Sequence, residues 1–153
     1  MIELTTEERL IWRQLRDRAR AGSVDDPQAA CIYYGDLGRL VDPAGTWHFP
    51  RSRPQMFGFN IALGHVSEYE HQHGRPLLSS LVVAKSENQP GKGFAPLAAS
   101  LGYDVTDAEQ FWRDEIKKTV AFWSSTDDTL LRDAAVDRVL GELEALKKLL
   151  GGL

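Results

Sequence analysis

The chain has 153 residues, 42% hydrophobic and 26% charged, with a formal net charge of −4. These values exclude a disordered or fibrous chain and fit one domain that folds without metal or disulfide. The lone cysteine, Cys31, excludes an internal disulfide; with no apolar run of bilayer length and an acidic start, a soluble cytoplasmic protein is expected.

Thr5 and Glu8 have capping-box spacing, so a helix is expected there. Leu10, Ile11, Leu15 and Ala19 form its apolar side, and Gly22 stops it. A loop over 22–28 leads to an extended piece that contains Cys31 and ends near Tyr34. A short helix with Leu37, Leu40 and Val41 follows, then a turn-rich stretch with Pro43, Pro50 and Pro54. Phe57, Ile61, Ala62, Val66 and Tyr69 recur at helical spacing, which predicts a longer helix over 55–73, ended by Gly74. The run 77–84, rich in Leu and Val, reads as a strand. Pro90-Gly91 reads as a type II turn, and Pro96 suits the first turn of a small helix ending at Gly102.

Thr106 and Glu109 repeat the capping-box spacing ahead of a helix with Ala108, Trp112, Ile116, Thr119, Val120 and Trp123 along one side. The last helix opens at Ser125 or Thr126, with Asp127 and Asp128 at its positive end. Val136, Val139, Leu143, Leu146 and Leu150 then follow 3-4-3-4 spacing, widened by Leu140 and Leu149. Packing on the protein's own core is the simple account of this stripe. A seam for a homodimer or a protein partner is the alternative.

The expected architecture is α+β, mostly α, in a single domain over 1–153. A central winged-helix-like module over 28–102 is flanked by an N-terminal helix and loop (1–27) and a C-terminal helical pair (103–153). Charge is uneven: residues 44–100 carry net +2, against −2 before and −4 after them, and they hold all four histidines. Only this middle is suited to meet an anion. With the helix over 55–73 as reader and the loop 85–93 as wing, Arg51, Arg53, Arg75, Lys85 and Lys92 become phosphate contacts to DNA.

Catalytic patterns are thin. His71 and His73 lie about 200° apart on a helix and cannot share an ion from one face, and no HExxH or cysteine-rich spacing exists. No metal or cofactor is expected. Ser79 and Ser80, with Tyr34, are candidates to line a small pocket. A serine hydrolase using Ser79 or Ser80 with His65 or His71 has no Gly-x-Ser-x-Gly elbow behind it. Pro90-Gly91-Lys92-Gly93 offers amides and a cation to a phosphate, but it is no Walker loop.

Tyr34-Gly35-Asp36-Leu37, Ala62-Leu63-Gly64 and the run 78–83 resemble the DNA-binding domain of methylated-DNA alkyltransferases and alkyltransferase-like proteins. Ser79 stands where that family has its reactive cysteine, and the Pro-Cys-His-Arg core is absent. The resemblance therefore implies a winged-helix scaffold without alkyl transfer. Ser79-Ser80-Leu81-Val82-Val83 followed by Pro90-Gly91-Lys92-Gly93-Phe94 is similar to uncharacterised bacterial proteins, some joined to HNH-type nucleases. That likeness implies a DNA-directed or defence-related module. The leading expectation is a non-enzymatic DNA-binding accessory protein; a helical adaptor or homodimer acting through the last helix is the alternative.

Overall fold

The computed structural model describes residues 2–44, 53–125 and 128–151, the side chains of 53–58 and 128–137 excepted. Its helices are α1 (Thr6–Ala21), α2 (Tyr34–Val41), α3 (Arg53–Gln72), α4 (Phe94–Ser100), α5 (Ala108–Ser125) and α6 (Asp128–Gly151). Short 3-10 turns cover Pro27–Ala30 and Leu78–Leu81, each leading into a two-residue strand, β1 (Ile32–Tyr33) and β2 (Val82–Val83). The class is α+β, mostly α.

The α1 capping box forms as its spacing requires. The Thr5 hydroxyl accepts the Glu8 N–H at 3.1 Å, and the Glu8 carboxylate accepts the Thr5 N–H at 2.9 Å. Gly22 ends the helix. Ile11, Leu15 and Ala19 are buried, while Leu10 turns outward. On α2, Leu37 and Val41 are buried and Leu40 is exposed, one position off the buried side.

α3 buries Ala62, Leu63 and Val66, together with the polar Ser67 and Glu70; Ile61, expected inside, is exposed. Phe57 lies among the side chains outside the described ones. Past the helix end, Gly74 takes φ 71° and the Arg75 N–H donates to the Glu70 carbonyl at 2.9 Å. This left-handed reversal, which glycine adopts without a Cβ penalty, turns Arg75 back onto the last turn of α3.

The run 77–84 corrects the expectation of a strand. Only Val82 and Val83 form a strand, paired in parallel with Ile32 and Tyr33. The residues before them curl because side chains capture their backbone donors. Leu77 N–H donates to Glu115 Oε1 at 2.9 Å and Ser79 N–H to Ser67 Oγ at 3.0 Å, while Ser80 N–H closes onto the Leu77 carbonyl. Those bonds satisfy buried amides that a ladder would otherwise have to serve.

The chain then reverses over 85–88, closed by the Ala84–Gln89 bridge, with Asn88 at φ 50°. Asparagine tolerates that left-handed conformation. The tight reversal thus precedes Pro90-Gly91. At the start of α5 it is Asp107, whose carboxylate accepts the Gln110 N–H at 3.1 Å, that caps the helix. Thr106 bonds instead to Asp104.

One apolar cluster joins α1, α2, α3, α4, α5 and the Leu78–Leu81 turn. That turn is wedged between α1, α3 and α5. Trp112, Ile116, Val120 and Trp123 bring α5 into the cluster, whereas Ala108 is exposed. Among the described residues, α6 contributes nothing to it.

Candidate functional site

Among the described side chains, the expected phosphate contacts divide: Arg75 is turned inward while Lys85 and Lys92 are exposed. Arg51 lies outside the described residues, and Arg53 is the first residue of α3, its side chain among those not described. Lys85 and Lys92 are exposed on the segment between β2 and α4. Arg75 has a different job. Its side chain is 12% exposed and forms a two-pronged pair with the fully buried Glu70, Nε to Oε2 at 3.0 Å and Nη2 to Oε1 at 2.8 Å. The Trp12 indole donates to the same carboxylate at 2.7 Å. The guanidinium also lies over the rings of Tyr69 and Trp123, at 5.5 and 5.8 Å. Burial works against the Arg75 charge, but the Glu70 carboxylate outweighs it and the pKa is raised. Arg75 is therefore committed inward, to a charge cage that fixes α3 against α1 and α5.

Ser79 and Ser80 are also internal. The Ser67 hydroxyl donates to Ser79 Oγ at 2.6 Å, and Ser80 Oγ lies 3.3 Å from Thr119 Oγ1. Their hydroxyls meet other hydroxyls in a buried network, whereas His65 pairs with Glu8 and His71 with Tyr103. The arrangement holds two helices to the 78–81 turn and, among the described residues, offers no serine–histidine couple.

Tyr34 has a mechanical role. Its phenol oxygen accepts the Gly91 N–H at 3.0 Å, while the neighbouring Tyr33 hydroxyl donates to Asn88 at 2.9 Å. The two tyrosines thus pin both sides of the loop that carries Lys85 and Lys92. A Cβ on Gly91 would sit 2.7 Å from the Tyr34 oxygen, so this approach requires glycine.

Among the described residues, no cluster of His, Cys, Asp or Glu could hold a metal ion. Burial pushes the Cys31 thiol up to about 11, the nearby Arg18 charge opposing it, so the thiolate that a nucleophile requires is scarce at neutral pH. Cys31 lines an open cavity of about 660 Å³ with Tyr33, Asp36, Arg39 and Asn88. There Arg39 is paired with Asp36, and Arg18 donates to the carbonyls of Ala30 and Cys31.

The feature that stands apart is α6. Val139, Leu140, Leu143, Leu146, Leu149 and Leu150 are 46–72% exposed. The expectation that this stripe packs on the protein's own core is corrected for these residues; the Val136 side chain lies outside the described ones. Leu140, Leu143, Leu146 and Leu150 form one wall of a groove of about 1180 Å³, whose other wall includes Leu4, Trp12 and Tyr69. The two walls come together where the Arg9 guanidinium lies 3.6 Å from the Cβ position of Gly141, an ordinary contact distance. Basic side chains edge the groove: Arg9, Arg13 and Arg16 from α1, and Arg138 and Lys147 from α6, against the carboxylates of Glu3 and Glu144.

Sequence reasoning missed this groove and the Glu70 and Glu115 anchors. A signal existed for Glu115, which falls three residues after Trp112 and four before Thr119 on the buried side of α5. Glu70 likewise follows Val66 by four. Nothing in the spacing marked either acid as different from a surface one.

No family model, curated protein or solved structure matches the chain. No helix among the described residues is long and apolar enough to cross a membrane.

Proposed function

We propose that the protein is a non-enzymatic interaction module that takes a helix of another protein into the groove between α6 and the α1–α3 body. The observation that carries this reading is the aliphatic face of α6, left about half exposed over six large residues. Contiguous exposed apolar surface of this kind marks partner sites in soluble proteins. The groove exceeds the roughly 300–1,000 Å³ of small-molecule sites and suits a helix laid lengthwise. A second copy is a poorer occupant, because a symmetric contact would set this basic rim against itself. The single cysteine is in keeping with a reducing cytoplasm.

The test is titration with an uncharged helical peptide carrying leucines at 3-4 spacing on one face. It should bind and slow amide exchange in α6. Leu143→Asp with Leu146→Asp should abolish both effects at unchanged helicity. Absence of binding would remove the reading. Concentration-dependent doubling of mass that the same substitutions reverse would replace the foreign helix by a second copy.

A second reading, DNA contact by a winged-helix-like module, has one observation in its favour: Lys85 and Lys92 are exposed on the loop that Tyr33 and Tyr34 pin. Such contacts give salt-dependent affinity with little sequence choice. Duplex binding that weakens with salt and drops on Lys85→Ala and Lys92→Ala would support it; unchanged binding would exclude this loop.

A further inference from the structure

The groove lining mixes aliphatic and charged side chains. Among the described residues, five basic side chains and two carboxylates line it, on a chain whose overall charge is −4. On α1 the cations Arg9, Arg13 and Arg16 are spaced by four and then three residues, which sets them along one helix side. At a rise of about 1.5 Å per residue they span about 10 Å, two turns of helix. Arg9 donates to the Leu4 carbonyl, and Arg16, its side chain only 16% exposed, pairs with Asp17 and lies over the Trp12 ring at 4.9 Å. Among the described residues, Arg13 has no hydrogen-bond or ion-pair partner. On the opposite wall Leu140, Leu143, Leu146 and Leu150 repeat along about three turns of α6, with Lys147 among them.

From this, and resting on the groove reading above, we propose that the occupant is an acidic amphipathic helix. Its leucine-type face lies against Leu140, Leu143, Leu146, Leu150 and Trp12, and its carboxylates meet Arg13 and Lys147, with Arg9 and Arg16 adding to the positive field around them. Apolar contact supplies the affinity, while the charged rim selects the partner and speeds encounter. A bare hydrophobic surface has no use for an excess of cations among its leucines; an acidic helix uses both features at once. A DNA duplex, the other ligand a basic stripe suits, leaves the leucine wall without a role.

Three synthetic helical peptides test this, sharing one leucine face and differing only in flanking residues: glutamate, glutamine or lysine. Affinities are measured with the full chain at low and high salt. The glutamate peptide is expected to bind at least tenfold more tightly than the lysine peptide, with the gap narrowing in high salt. Arg13→Glu with Lys147→Glu, both at the rim and outside the core cluster, should reverse the order of the two peptides. Equal affinities for all three would overturn the acidic partner and leave the groove reading standing. No binding of any peptide at low salt would overturn both. Tighter binding of a DNA duplex or of anionic lipid vesicles, lost in the same Arg13→Glu variant, would also overturn the acidic helix.

Discussion

On α5, Trp112, Ile116, Thr119, Val120 and Trp123 recur at helical spacing and are all buried; on α6, Val139, Leu143, Leu146 and Leu150 recur just as regularly and are 46–60% exposed. Both patterns announce an apolar side, and neither says what will cover it. What separates them is polar anchoring. The buried side of α5 carries Glu115, which takes the Leu77 N–H, and Trp112, whose indole donates to the Ser80 carbonyl at 2.8 Å. Thr119 adds a hydroxyl contact to Ser80. These bonds tie one side of α5 to one segment, whereas the exposed stripe of α6 is purely aliphatic. A face without directional groups remains open to any apolar partner of the right shape.

The contrast can be attacked from its strongest side first. Glu70→Ala should cost roughly 3–5 kcal/mol in urea denaturation, because it strands the Arg75 charge against Tyr69 and Trp123 and leaves the Trp12 indole without its acceptor. A loss below about 1 kcal/mol would mean that this pair does not order the helices around α5. Ile116→Ala should cost roughly 2–5 kcal/mol as a core truncation. Leu146→Ala should stay within about 0.5 kcal/mol in the unliganded protein, as exposed positions do. Comparable losses at the two positions would erase the distinction and remove the groove.

Thr5→Ala should cost about 1 kcal/mol by opening the capping box. It should also weaken peptide binding slightly, because the first turns of α1 set Leu4 and Arg9 on the groove wall.

The smallest effect concerns pH. Burial raises the Glu115 pKa, the Leu77 N–H and the Lys118 charge opposing it. The folded state therefore holds this proton more tightly than the unfolded chain. Stability from this group is fullest below the ordinary glutamate value and declines as pH rises from there through the folded-state pKa. Glu115→Gln should flatten that decline in thermal melts taken across acidic to neutral pH, while no substitution on the exposed stripe of α6 should alter it.

Most helix boundaries were legible because their signals are local. The Thr5 and Glu8 pair, Gly22 and Gly74 each act within one turn of chain. The α5 start was misplaced by one residue because Thr106 and Asp107 both have capping chemistry, and Asp104 had already engaged Thr106. The 77–84 run misled because its conformation is decided from afar: Ser67 is twelve residues away and Glu115 thirty-eight from the amides they capture. Arg75 read as a phosphate contact because a basic residue after a glycine looks solvent-facing; only the reversal at Gly74 folds it onto Glu70. The groove was illegible for a similar reason. Its α6 leucines and its α1 arginines stand more than a hundred residues apart in sequence.

Trp12 belongs to both halves of this picture. Its indole N–H is bonded to Glu70, its ring meets Trp123 edge-on at 6.0 Å, and its outer edge lines the groove. An apolar helix settling there would remove water from a fluorophore whose other side is already held. The chain thus carries its own optical gauge: a blue shift in tryptophan emission on peptide addition, absent in Trp12→Phe, would report occupancy without a label.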